Sequence, residues 1–126
     1  SKRSLEVRLL HLACVGEECP KEIASLSDLK ELFVSGSELK TLPPEIGQLK
    51  NLRRLTVHAE SLKDLPDEIG ALRALRELTL DNCFLQNVPI ARKIVRLTNL
   101  TALRIICCPN ARFTDDFEAL TALQEL

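Results

Sequence analysis

Leu29-Lys30-Glu31-Leu32-Phe33-Val34 returns 23 residues later as Leu52-Arg53-Arg54-Leu55-Thr56-Val57, and after 23 more as Leu75-Arg76-Glu77-Leu78-Thr79-Leu80. The agreement extends past the hexad: Leu39, Leu42, Pro43, Ile46, Gly47 and Leu49 answer to Leu62, Leu65, Pro66, Ile69, Gly70 and Leu72. A fixed period of this length marks a repeat architecture rather than a globule around one central core. In Leu32-Phe33-Val34 the two flanking residues share one face, while Glu31, Phe33 and Ser35 share the other, which is the alternation of a short strand. Beyond Leu42, Pro43 and Pro44 end extended pairing, and Glu45-Ile46-Gly47-Gln48-Leu49 turns apolar residues inward at helical or turn spacing. A single coil of this kind cannot enclose its own apolar face, so neighbouring coils must stack. The expected fold is α/β: a solenoid with a curved parallel β-sheet on the concave side and short helices or turns on the convex side.

Working outward, the chain reads as a single repeat domain, 1–126, with units at about 5–28, 29–51, 52–74, 75–99 and 100–122 and a partial unit at 123–126. In the first unit Val7, Leu10 and Leu12 fit the strand, and Pro20, Ile23 and Leu26 fit the return segment. This unit is one residue short, and the gap falls in Val15-Gly16-Glu17-Glu18, where glycine and charge permit a tighter turn. Cys19 then takes the inward place of Leu42 and Leu65. The fourth unit carries two extra residues within Pro89–Ile94, so a longer return helix is expected there. The fifth keeps Leu100, Leu103 and Ile105, but Asn110 and Thr114 replace a leucine and a proline, and Asp115 with Glu118 forms a capping-box pair. Leu123 and Leu126 open a further strand whose return segment is missing, so fraying or end-to-end self-association is expected at that end.

Composition narrows the function. Hydrophobic residues make up 45% of the chain, mainly leucine, with four Phe and no Trp, Tyr or Met, so the core is aliphatic and stacking platforms for nucleic acid or sugar are not expected. Seventeen basic and eighteen acidic side chains leave a net charge of −1, which argues against a general polyanion binder. No apolar run approaches the roughly 18 residues of a membrane span, and no signal-peptide core opens the sequence, so a soluble protein is expected. The five cysteines include no C-x-x-C, and no four ligands fall at zinc spacing. His58 with Asp81 is a conceivable base pair, yet no Ser or Cys with a reason for activation adjoins it, and no phosphate-binding glycine loop occurs. No cofactor, no metal and no enzymatic activity of the chain alone are expected.

Stacking turns equivalent positions into columns about 4.8 Å apart. Glu31, Arg54 and Glu77 form one column of alternating sign; Phe33, Thr56, Thr79 and Arg104 form the next; Ser35, His58, Asp81 and Ile106 the one after. Cross-strand pairing accounts for most of these charges. Phe33 has no evident structural duty and suits a contact anchor. The partner-binding candidates are accordingly Phe33, Arg54, Thr56, His58, Glu77, Thr79, Asp81 and Arg104. Lys30, Arg53 and Arg76 form a like-charged basic edge, with Lys50 and Arg73 close by, that suits either an acidic partner or plain solvation. Glu22, Glu45 and Glu68 line up at the starts of the return segments, where the helix dipole favours them. Cys83 and Cys108 fall at equivalent positions of adjacent coils, within geometric reach of a disulfide, although buried thiols are the preferred reading.

The L-x-x-L-x-L hexads, the leucine five residues beyond, and L-P-x-x-I-G-x-L at Leu42–Leu49 and Leu65–Leu72 together resemble the leucine-rich repeat family over nearly the whole chain. The L-P-x-x-I-G form looks like intracellular members: Ras-group scaffolds, the repeats of plant nucleotide-binding immune receptors, and bacterial effectors delivered into host cells. The form of Leu78 to Cys83 tilts toward a receptor or effector fragment. The resemblance implies a protein or peptide partner on the concave face and a cytoplasmic location, whether the cell's own or a host's. It also implies that secreted members close their ends with disulfide-bonded caps. None is visible here, so reduced thiols in a reducing compartment are expected. The position that many such repeats give to a buried asparagine reads Ser37, Glu60, Cys83 and Cys108. A buried ionised Glu60 is costly, so Glu60 is expected to swing outward and Ser61 to take its role. Two functions follow from the resemblance: an interaction module in signalling, immune recognition or host–pathogen contact, or the substrate-recruiting part of a larger enzyme such as an effector ubiquitin ligase.

Overall fold

The computed structural model describes residues 8–81 and 90–106. These residues form one parallel sheet in sequential order, of β1 (Leu9–Ala13), β2 (Glu31–Ser35), β3 (Arg54–His58), β4 (Glu77–Asp81) and β5 (Ala102–Ile106). The register is that of the repeat: Leu32 lies beside Leu55, Leu55 beside Leu78, and Leu78 beside Leu103. In the first coil Leu10 pairs with Leu32 and Leu12 with Val34, while the main chain of Lys40 bonds to Glu17 as that of Lys63 bonds to Lys40. The missing residue therefore lies between Cys14 and Glu17, at the turn that leaves β1.

The return segments are single 3-10 turns, Lys21–Ser25, Pro44–Gln48 and Asp67–Ala71, followed by a short α-helix, Ile90–Ile94. Each 3-10 turn is entered from a proline in extended conformation, Pro20, Pro43 or Pro66, whose missing N–H leaves no donor to satisfy. The fourth return was expected to be longer. Pro89, at the start of the inserted stretch, lies outside the described residues; from Ile90 to Ile94 the return differs in kind from the others, being wound as the wider α turn.

A ladder of three-residue steps links each return segment to the next strand. Leu49 N–H donates to the Ile46 carbonyl and Leu52 N–H to the Leu49 carbonyl; Leu72 and Leu75 repeat this from Ile69, and Leu97 and Leu100 from Ile94. Three residues per turn place successive side chains one above the other. Ile46, Leu49, Leu52 and Leu55 therefore all face the interior, as do Ile69, Leu72, Leu75 and Leu78, and all eight are buried. The core is an aliphatic strip, and no buried polar or charged residue occurs among the described residues. Leu10 and Leu12 at the start of the stack are only partly buried. Close stacking also fixes two glycines: a β-carbon at Gly47 would lie 2.9 Å from the carbonyl oxygen of Glu68 in the next coil, and one at Gly36 would lie 2.8 Å from that of Cys14.

Side chains tie the coils together where the ladder leaves main-chain carbonyls open. Asn51 donates to the Ser27 carbonyl at 3.0 Å and Asn99 to the Arg73 carbonyl at 2.9 Å. This inter-coil asparagine bond sits at the approach to the strand rather than in the turn after it. In the turn, Glu60 is exposed and Ser61 donates to the Ser37 carbonyl at 2.7 Å. The positions of Cys83, Cys107, Cys108, Asn110, Thr114, Asp115, Glu118, Leu123 and Leu126 lie outside the described residues.

Candidate functional site

Period-two alternation on five registered strands leaves three rows of side chains on the concave sheet face. The first contains Leu9, Glu31, Arg54, Glu77 and Ala102; the second His11, Phe33, Thr56, Thr79 and Arg104; the third Ala13, Ser35, His58, Asp81 and Ile106. At ordinary strand spacing this grid measures roughly 19 Å by 13 Å, about 250 Å² in projection.

The first row is an ionic zipper. The Arg54 guanidinium bonds Glu31 Oε1 at 3.0 Å on one side and pairs with Glu77 Oε2 on the other, and Arg104 reaches diagonally from the second row to Glu77 Oε1 at 3.4 Å. Alternate signs therefore satisfy one another across four strands. These groups are solvated, so each pair stabilises the fold by about 0–1 kcal/mol, and the zipper's main effect is to hold the side chains in fixed positions. In the third row His58 Nδ1 lies 3.4 Å from Asp81 Oδ2.

The second row holds a correction. Phe33 is not an isolated aromatic: its ring stacks on His11 with centroids 5.2 Å apart and planes 27° apart, and it remains 36% exposed. His11 belongs to the site and was not among the expected residues. The signal for it was present, since placing Leu10 and Leu12 inward puts His11 opposite Phe33. With Leu9, which is 56% exposed, the pair forms an apolar corner at the first-strand end of the face. Thr56 and Thr79 continue the row as half-buried hydroxyls.

The basic edge lies at the entry to the strands. Arg53 N–H donates to the Lys30 carbonyl at 2.7 Å and Arg76 N–H to the Arg53 carbonyl at 2.8 Å, and Lys30 in turn donates to Arg8. A groove of about 300 Å³ runs between this column and the zipper, lined by Lys30, Glu31, Arg53, Arg54, Arg76 and Glu77. Lys50 was expected on the same edge, but its Nζ reaches the Ala71 carbonyl of the next return segment at 3.4 Å.

Away from the sheet face, charges pair between coils. Lys93 Nζ lies 2.6 Å from Asp67 and 3.7 Å from Asp64, and Lys40 Nζ lies 2.7 Å from Glu17. The hydrogen bond to Lys93 holds the Asp67 carboxyl below its ordinary value, and the same bond raises Lys93; Glu17 and Lys40 shift in the same opposite senses through their own bond. Glu22, Glu45 and Glu68 occupy the first turns of the return segments. Glu45 Oε1 is buried without a hydrogen-bond partner.

Cys14 and Cys19 meet at the end of β1, with their sulfurs 2.6 Å apart. Burial first, and then the hydrogen bond with Cys14, push the Cys19 thiol well above its ordinary value, so it stays protonated. Among the described residues no cluster of His, Cys, Asp or Glu could hold a metal ion, and no helix is long and apolar enough to cross a membrane.

No curated relative matches the sequence. Among solved structures the chain is similar to an LRR protein of Leptospira interrogans, at 29% identity and a TM-score of 0.57, over 87% of this chain and 33% of that one. It is similar to the plant peptide hormone receptor RGFR1 in complex with RGF2, at 25% identity and a TM-score of 0.69, over 95% of this chain and 24% of the receptor. It also shares its fold with the leucine-rich repeat domain of the type III effector XopL, at 23% identity and a TM-score of 0.65, over 94% of this chain and 50% of that one. The chain thus spans half or less of the length of each of these proteins. The family model described as "Leucine-rich repeat region" matches residues 2–126. With the hexad register, the three-residue leucine ladder and the parallel sheet in agreement with that match, the chain belongs to the leucine-rich repeat family.

Proposed function

We propose that this chain is a protein-interaction module that takes a protein or peptide partner on its concave face, across the strands of the second, third and fourth coils. The observation that carries the proposal is the zipper of Glu31, Arg54, Glu77 and Arg104 beside the stacked His11–Phe33 pair. Together they offer fixed directional groups next to an exposed aromatic of the kind that anchors interfaces. Thr56, Thr79, His58 and Asp81 complete the contact surface with hydroxyl, imidazole and carboxylate groups.

An extended peptide, or one projecting segment of a larger protein, can lie across the three outward rows of the described strands. The likeness to a peptide hormone receptor in complex with RGF2 supports this reading. The absence of a C-x-x-C pair and the odd number of cysteines suit a reducing compartment, in keeping with a role in intracellular signalling, immune recognition or host–pathogen contact.

The test is affinity capture from native extract with wild type, a Phe33→Ala/Arg54→Ala variant and a convex control, Glu22→Ala/Glu68→Ala, each checked for folding by circular dichroism. The concave variant is expected to lose captured partner by at least about tenfold, the loss that follows from removing one anchor and one directional pair. Retention by the concave variant with loss by the convex one would show that the partner uses the other side.

A further inference from the structure

The groove at the strand entries carries a charge excess that the rest of the chain does not share. The whole sequence has a net charge of −1, yet this groove is lined by four cations, Lys30, Arg53, Arg54 and Arg76, against two carboxylates, Glu31 and Glu77. Both carboxylates are engaged by Arg54, and Glu77 by Arg104 as well. They are therefore aimed along the zipper rather than back at the column. The Lys30, Arg53 and Arg76 side chains make no hydrogen bond or ion pair among the described residues, although the charges of Glu17, Lys40, Asp67 and Lys93 all find partners between coils. Successive main-chain bonds of 2.7 and 2.8 Å hold the backbones of the three residues in one row, from which the basic arms extend. At about 4.8 Å per strand, their mutual repulsion is screened by solvent and counterions and is relieved further by a ligand of opposite sign.

We infer that this column binds an acidic, extended peptide segment that crosses the strands, with carboxylates on every second residue directed at Lys30, Arg53 and Arg76. The match is one of sign, and the long basic arms take up the difference between a peptide repeat of roughly 6.6 Å and a column repeat of about 4.8 Å. Same-side residues of an extended chain recur at roughly 6.6 Å, and the column spans about 9.6 Å from Lys30 to Arg76, so two or three alternate carboxylates fall within reach of the flexible basic arms. The two arginines present planar forks suited to carboxylates. The inference rests on the proposed use of this side of the sheet for binding and specifies the chemistry of the bound segment. It predicts that affinity falls as ionic strength rises, because the groove is open to solvent.

The probe is a fluorescein-labelled peptide of about ten residues alternating Glu and Ser, read by anisotropy against a Gln–Ser control peptide, at ionic strengths from about 10 to 150 mM. Wild type is expected to bind the Glu peptide in preference to the Gln peptide. Arg53→Gln/Arg76→Gln is expected to weaken binding roughly tenfold, the equivalent of about 1.4 kcal/mol for two exposed charge pairs. Arg53→Lys/Arg76→Lys should keep most of the affinity, and Lys50→Gln/Arg73→Gln should change it by less than about twofold. Equal binding of the two peptides overturns the proposal. So does an unchanged affinity in the Arg53→Gln/Arg76→Gln variant, or complete displacement of the peptide by inorganic phosphate at equal concentration, which would mark a simple anion site. Loss of the Glu peptide on Phe33→Ala, with Arg53→Gln/Arg76→Gln still binding, overturns this assignment and leaves the concave-face reading standing. Native partner capture that ignores Phe33→Ala/Arg54→Ala, together with the expected peptide result, overturns that reading and keeps this one.

Discussion

At the scale of single residues, Cys19 shows how position in a repeat decides chemistry. It occupies the inward place that Leu42 and Leu65 hold in later coils, and it is buried with its sulfur 2.6 Å from that of Cys14. Burial disfavours the thiolate, so the folded-state pKa lies above the ordinary 9.0. Below that value both folded and unfolded chains keep the proton, and stability does not depend on this group. As pH rises past 9, the unfolded chain ionises while folded Cys19 does not, so the group's contribution declines; urea melts should show stability level at neutral pH and falling above about pH 9. Alkylation gives the same information by rate. Peptide mapping after a short iodoacetamide pulse at pH 8 should find half-exposed Cys14 labelled at least about tenfold faster than Cys19, because the thiolate is the nucleophile. Equal rates would mean that the first coil opens freely.

At the scale of the element, one coil depends on leucines spaced by three and then by two, and on little else. Leu55 and Leu78 hold the same place in adjacent coils, at 1% and 0% exposure. Leu55→Ala and Leu78→Ala should each cost about 2–5 kcal/mol, and by similar amounts, in chemical denaturation. A cost below about 1 kcal/mol at either would contradict the register. The register was legible in the sequence because Leu32, Leu55 and Leu78 can exchange neighbours only in steps of a whole repeat, and a slip by one residue would turn every leucine outward. The zipper was legible for the same reason, since Glu31, Arg54 and Glu77 follow the leucines automatically. His11 escaped because the columns were traced from the regular coils, and the shortened first coil joins them only once its gap is placed between Cys14 and Glu17. Asn51 and Asn99 escaped because each bonds a main-chain carbonyl of the preceding coil from the approach to a strand, a position with no asparagine in the third coil, where Ala74 stands. The direction of Lys50 was not legible at all: four rotatable bonds let its ammonium choose between the basic edge and the Ala71 carbonyl.

At the scale of the whole molecule, the described coils touch only their neighbours: sheet contacts join consecutive strands, and return-segment contacts join consecutive turns. Stability is then a sum over coils and the interfaces between them, so protection should be graded along the stack. Amide exchange should be slowest in β3 and β4, which are covered on both sides, and faster in β1, where Leu10 and Leu12 are only partly buried. Uniform protection across β1 to β4 would show that the stack opens all at once. The identical 23-residue register of the second and third coils has a further consequence, for inheritance rather than for folding. Because Gly47 meets the next coil through the contacts that a duplicated coil would itself present, an unequal crossover that gains or loses one unit joins surfaces already complementary. A lineage carrying this gene can therefore lengthen its sheet by one strand, about 4.8 Å, in a single genetic event. Each new copy then arrives with its own cation at the entry, Lys30 or Arg53, and its own outward triplet, free to diverge while the leucines stay fixed.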